Sequence, residues 1–130
     1  MQRLKRKFET ARRHVPEPAL EQVKGAEVGL IAYGSTDAAI LEARDYLEEE
    51  GLQTDYLRLR AVPFTGAVGE FVASHEHVYV VEMNRDGQMH KLLQLDYPLM
   101  AARLRSIAKH DGLPLTARWL KDAVLAEEKK

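Results

Sequence analysis

Residues 28–60 read VGLIAYGSTDAAILEARDYLEEEGLQTDYLRLR, and the fold follows from how this stretch changes its period twice. Val28 to Tyr33 is apolar on both faces apart from Gly29, as a central parallel strand covered by helices on each side must be. Ser35, Thr36 and Asp37 then offer N-cap oxygens for the free amides of a helix start, and Ile40, Ala43 and Leu47 recur at helical spacing on the face that meets the sheet. Gly51 after a run of glutamates suits the left-handed residue that ends a helix. Beyond it the period falls to two. Tyr56, Arg58 and Arg60 alternate with Leu57 and Leu59, which predicts a strand with one wetter face. Strand, helix and strand in this order make a βαβ unit with an expected right-handed crossover.

The same alternation continues toward the C-terminus. PFTGAVGEFVASH (63–75) predicts a helix from Pro63, weakened by Gly66 and Gly69. HVYVVE (77–82) is a second strongly apolar strand, and DGQMHKLLQL (86–95) returns to helical spacing through Met89, Leu92 and Leu93. ARLRSIAKH (102–110) predicts a strand whose Arg103 and Arg105 face water or an edge. Thr116 caps a helix expected from Ala117 to about Glu127, with Leu115 and Leu120 placed as a hydrophobic staple and Trp119, Ala123 and Val124 as its buried stripe. Toward the N-terminus, VPEPALEQVKGAE (15–27) carries two prolines and Gly25 and reads as a linker meeting a folded unit, with TARRHV (10–15) as a short edge strand. Residues 1–9 read as a basic linker or tail, and residues 10–130 as one domain. Alternating strands and helices predict an α/β fold of three layers, helices on both sides of one sheet.

Composition narrows the function classes. At 130 residues and 45% hydrophobic, the chain is one domain's worth of core. Lys+Arg 19 against Asp+Glu 20 leaves no overall field toward nucleic acid or an anionic membrane. Arg3, Lys5, Arg6, Lys7, Arg12 and Arg13 form a local basic cluster, but no aromatic residues interleave to stack on bases. Zero cysteines exclude disulfides, thiolate nucleophiles and cysteine-held iron–sulfur clusters within these residues, and fit a reducing compartment. No apolar run reaches the roughly 20 residues of a membrane span. The expected location is the cytoplasm.

In open α/β sheets ligands sit at the carboxyl ends of the strands. Two loops fall there, YGSTD (33–37) and EMNRDGQ (82–88), and each opens a helix whose free amides make a ready anion site. Neither carries a phosphate fingerprint, since GxxxxGK[ST] and GxGxxG are both absent. Helix caps alone explain both loops. His75, Glu76, His77 and Glu82 lack a third ligand at a recognised metal spacing, so the histidines read as surface residues. Ser35 has no His or acid marked as its partner. Glu82 at the end of an apolar strand is either a buried carboxylate with a raised pKa or, as such residues more often are, a strand end bonding neighbouring amides.

The succession AEVGLIAYGSTDAAILEARDYLEEEGLQTDYLRLRAVPF, HVYVVEMNRDGQMHKLL and HDGLPLTARWL resembles the C-terminal domain of the alpha subunit of thiamine-diphosphate-dependent 2-oxoacid:ferredoxin (acceptor) oxidoreductases, from roughly residue 8 to the end. The resemblance implies the fold of the transketolase C-terminal domain: a mixed, mostly parallel five-stranded sheet with one antiparallel strand, which would be TARRHV, and helices on both faces. That family oxidatively decarboxylates 2-oxoacids onto coenzyme A and passes electrons through iron–sulfur clusters to ferredoxin. Thiamine diphosphate and magnesium are held in the beta subunit by a GDG-type motif that this sequence lacks. The resemblance therefore implies an accessory domain that binds no cofactor and has no turnover alone. Its implied partners are the remaining alpha-subunit domain and the beta subunit. Tyr33, Gly34, Ser35, Thr36, Glu82, Asn84, Asp86, Gly87 and Gln88 match the family motifs and are carried over as interface or ligand-edge positions, none of them catalytic. A domain of a larger assembly leaves an apolar face uncovered, and such faces tend to pair, so a homodimer is one outcome in isolation. The competing reading is a stand-alone anion or nucleotide binder that uses the 33–37 and 82–88 loops.

Overall fold

In the computed structural model, which describes residues 17–60 and 63–130 and Ser35 by its backbone alone, the strands are β1 (Ala19–Glu21), β2 (Val28–Tyr33), β3 (Thr54–Leu59), β4 (His77–Glu82) and β5 (Leu104–Ala108). They lie in the order β1-β3-β2-β4-β5. β1 runs antiparallel to β3, and every other pairing is parallel. The helices among the described residues are α1 (Asp37–Glu49), α2 (Gly66–Ala73), α3 (Gln88–Asp96) and α4 (Ala117–Glu128).

Alternation along the strands divides the core in two. Leu30, Ala32, Tyr56, Tyr79 and Val81 meet Ile40, Ala43 and Leu47 of α1 and Leu120 and Val124 of α4. Ile31, Leu57, Val78 and Val80 face the other way, against Val68, Phe71 and Val72 of α2 and Leu93 of α3. Each large side chain so buried contributes roughly 1.5–3 kcal/mol relative to leaving it in water. This is the expected three-layer, mixed and mostly parallel five-stranded sheet.

Gly29 is the position where the β2 pattern needs a glycine. A Cβ there would stand 2.7 Å from Cε1 of Phe71 and 3.1 Å from Nδ1 of His75. The missing side chain is what lets α2 lie close on the sheet. Gly51 has φ +87, as its place after α1 predicts, and Thr116 accepts a hydrogen bond from the Trp119 amide at 3.1 Å, as its cap role predicts.

Several expectations are corrected. The antiparallel strand is Ala19–Glu21, within the segment read as a linker; TARRHV lies outside the described residues. Pro18 precedes this edge strand, where its missing N–H costs no ladder bond. β3 is not wet on one face, because β1 flanks it and α1 covers it; Tyr56 is buried and Arg58 alone among Thr54–Leu59 is exposed. α2 starts at Gly66 rather than Pro63, after an extended Thr65 whose hydroxyl donates to Glu17 at 2.9 Å instead of capping. Thr36 likewise gives α1 no side-chain cap, since its hydroxyl donates back to the Tyr33 carbonyl at 3.1 Å. In α3 it is Met89 and Leu93 that turn inward, while Leu92 faces water.

Candidate functional site

From β2 the chain crosses to β3 on one side, and β4 leads to β5 on the other, so the carboxyl ends of β2 and β4 flank the point where the sheet order reverses. That is where an open α/β sheet leaves a crevice. Here it is an open cleft of about 320 Å³ lined by Tyr33, Gly34, Thr36, Glu82, Met83, Asn84 and Gln88. Six of the nine positions carried over from sequence line it. Ser35 completes the short 3₁₀ turn Gly34–Thr36, Asp86 is exposed outside the cleft, and Gly87 lies buried beneath it. Gly87 adopts φ +59, and a Cβ there would come within 2.9 Å of the Ser106 hydroxyl on β5.

Glu82 organises the cleft. It is 1% exposed, and its Oε1 accepts hydrogen bonds from the Met89 amide at 2.6 Å, the Asn84 side-chain amide at 3.0 Å and the Tyr33 hydroxyl at 3.3 Å. Its Oε2 accepts from the His90 amide at 3.2 Å. Asn84 Oδ1 accepts from the Gln88 amide at 3.3 Å, and Asn84 Nδ2 also donates to the Tyr33 hydroxyl at 3.2 Å. The first three amides of α3 are thereby bonded to side chains of the last residue of β4 and of the loop after it. The anion that a helix N-terminus attracts is here a carboxylate of the same chain. Of the two expected readings of Glu82, the bonding of neighbouring amides is the one found. Burial, followed by the charge of Glu82, raises the Tyr33 hydroxyl above its ordinary pKa.

At the first loop, Asp37 opens α1 and its Oδ1 accepts a 2.8 Å bond from the Tyr56 hydroxyl, with Arg58 Nε 3.9 Å away. Its charge is engaged inside the fold.

The two histidines expected at the surface separate. His77 is half-buried at the start of β4, with Nδ1 2.8 Å from Glu128 of α4, which also accepts from the Tyr79 hydroxyl. His75 is buried, contrary to expectation. Its Nδ1 lies 2.7 Å from the Phe71 carbonyl and its Nε2 2.6 Å from Asp55 Oδ2, while Asp55 Oδ1 accepts from the Val23 amide at 2.7 Å. His75 thus joins the end of α2 to β3 and to the turn after β1. The available signals were Gly29, which marks a close approach to β2, and the four-residue spacing of Phe71 and His75. No group of three His, Asp or Glu side chains among the described residues is arranged to hold a metal ion.

No protein-family model matches the chain. It is 34% identical over 115 residues to subunit alpha of 2-oxoacid:ferredoxin oxidoreductase 2 from Aeropyrum pernix, covering 85% of this chain and 18% of that protein. To the alpha subunit of the 2-oxoacid:ferredoxin oxidoreductase of Saccharolobus solfataricus it is 28% identical over 130 residues, covering 96% and 20%. Among solved structures, 2-oxoglutarate:ferredoxin oxidoreductase from Magnetococcus marinus, with 2-oxoglutarate, coenzyme A and succinyl-CoA bound, superposes with a TM-score of 0.73 at 27% identity, over 92% of this chain and 21% of that one. A split-gene transketolase superposes at 0.67 with 21% identity, over 83% and 40%, which shows the fold alone. The fold is that of the transketolase C-terminal domain. The chain is a homologue of one portion of 2-oxoacid:ferredoxin oxidoreductase alpha subunits, and it spans about a fifth of the length of the relatives it matches.

Proposed function

We propose that this chain acts as an accessory, non-catalytic domain of a cytoplasmic 2-oxoacid:ferredoxin oxidoreductase, packing against the rest of an alpha subunit and the beta subunit. In such an enzyme 2-oxoacids are oxidatively decarboxylated with thiamine diphosphate, coenzyme A and ferredoxin. The observation that carries the reading is the match to alpha subunits over most of this chain and only a fifth of theirs. The crevice supports it: Glu82, its one buried carboxylate, has both oxygens bonded within the chain, so no acid or base stands ready for chemistry. Iron–sulfur clusters, magnesium and the diphosphate belong elsewhere on this reading, because the chain has no cysteine and its described residues offer no metal-holding group. No helix among the described residues is long and apolar enough to cross a membrane.

The competing reading, an anion or nucleotide binder using the 33–37 and 82–88 loops, draws on the open cleft between them. Against it, a phosphate approaching the α3 amides would meet the Glu82 carboxylate already bonded there. The experiment is to assay 2-oxoacid-dependent ferredoxin reduction by the purified chain and by the complex isolated with it. Activity in the complex and none in the chain is expected; turnover by the chain alone would overturn the proposal.

A further inference from the structure

Helix α3 and the short 3₁₀ segment after it carry two sets of apolar residues where the fold uses one. Met89, Leu93 and Tyr97 pack onto the core beneath, joined by Met100 from the short 3₁₀ segment Pro98–Arg103 that follows. Leu92 and Leu95 of α3, three apart on one face of the helix, and Leu99 of the 3₁₀ segment are 47%, 79% and 101% exposed. One stripe is enough to seat a helix on a sheet, and Leu99 cannot serve the core because none of it is covered. Single exposed leucines are ordinary on a protein surface; three large ones within eight positions, on a helix and turn that already bury another set, mark a contact face. Of the other exposed large apolar residues, Leu20, Val23, Leu41, Met83 and Leu113, Val23 and Leu41 lie beside Glu21, Asp45 and Glu48 around a tied-down Arg44, in polar surroundings, and Met83 lines the cleft.

We infer that the Leu92–Leu95–Leu99 row is the surface on which the remainder of a 2-oxoacid:ferredoxin oxidoreductase alpha subunit packs, through an apolar patch of its own. This rests on the accessory-domain reading. The occupant follows from the proportions: the region matched here is 18% and 20% of the alpha-subunit relatives, so most of such a subunit lies outside it and must meet it somewhere. The row gathers three exposed leucines within eight positions, whereas Leu20, Met83 and Leu113 stand apart from one another along the chain.

The test places a photo-crosslinking residue at position 95, 99 or, for reference, 41 of the full chain in its source cells, and sequences the linked peptides. Links from 95 and 99 to alpha-subunit peptides outside the matched region, with far fewer from 41, are expected. Oxidoreductase peptides linked at 41 but not at 95 or 99 would overturn the face and leave the functional reading standing. No oxidoreductase peptide at any position would overturn both, and links from 95 and 99 to the same row of a second copy would overturn the occupant. Both leucines are exposed, so Leu95→Ser with Leu99→Ser spares the core. The pair is expected to weaken association with the complex by at least about tenfold, and unchanged affinity would also overturn the face.

Discussion

The Glu82 carboxylate lies 2.6 Å from the Met89 amide, so the last residue of β4 caps the helix that follows it. With its second oxygen on the His90 amide and Asn84 on the Gln88 amide, the start of α3 is neutralised from inside the chain. The crevice at the sheet's switch point is therefore built like an anion site and filled by the protein's own anion. Phosphate at millimolar concentration should leave the amide resonances of Gln88, Met89 and His90 unmoved; saturable shifts there would revive the binding reading.

Replacing Glu82 should cost stability through unpaired buried amides. Glu82→Gln keeps one acceptor oxygen and points an NH₂ group at a donor, so one of Met89 or His90 loses its partner. A loss of roughly 1.5–3 kcal/mol is expected for a charge-assisted bond of this kind, read from urea unfolding, and Glu82→Ala should lose at least as much.

Gly29→Ala tests the closeness of α2 to the sheet. The added methyl would meet the Phe71 ring at 2.7 Å and His75 Nδ1 at 3.1 Å. Overpacking of this sort costs about 1–3 kcal/mol. An unchanged unfolding midpoint would mean that α2 sits further from β2 than described.

Asp55 and His75 should be coupled. Asp55→Ala strands both the Val23 amide and a ring nitrogen of His75, and His75→Ala leaves the carboxylate buried without the ring. Each single change is expected to cost about 3–5 kcal/mol, as for a broken buried pair, and the double variant less than their sum. Additive losses in a double-mutant cycle would show that the two side chains do not act together.

Alkaline pH should destabilise the fold through buried tyrosines. Burial, followed by the hydrogen bond to Asp37, raises Tyr56 above its ordinary 10.0, and burial with the bond to Glu128 does the same to Tyr79. In the window above 10.0 the unfolded chain has lost protons that the folded chain keeps, so stability falls as pH rises through it. Below 10.0 their contribution is fully present. Tyr56→Phe should flatten this part of the stability profile; an unchanged slope would contradict the assignment.

Much of the framework was legible because period and punctuation speak for themselves. β2, β4, the buried face of α1, Gly51 and the Thr116 cap all follow from residues within one element. What stayed hidden depends on partners distant in sequence. The wetter face expected of β3 was read from Arg58 and Arg60 alone, yet α1 covers that face and β1 pairs beyond it through a three-residue strand too short to leave a pattern. His75 looked like a surface residue until Asp55, twenty positions earlier, came to lie against it. Glu82 was read from sequence as a strand end bonding neighbouring amides, and the amides it bonds are those of Met89 and His90. Six of the nine motif positions line the cleft, whereas the exposed leucines of α3 and the segment after it were missed because Leu92 fits a buried helical pattern as well as Leu93 does.

The central claim is that this chain works within a 2-oxoacid:ferredoxin oxidoreductase and not by itself. An antibody against it, used to isolate native complexes from the source cells, tests this most directly when the captured polypeptides are sequenced and assayed together. The account predicts oxidoreductase alpha- and beta-subunit sequences in the isolate, with 2-oxoacid-dependent ferredoxin reduction. A capture that holds only the 130-residue chain, with no oxidoreductase polypeptide and no such activity, would contradict it.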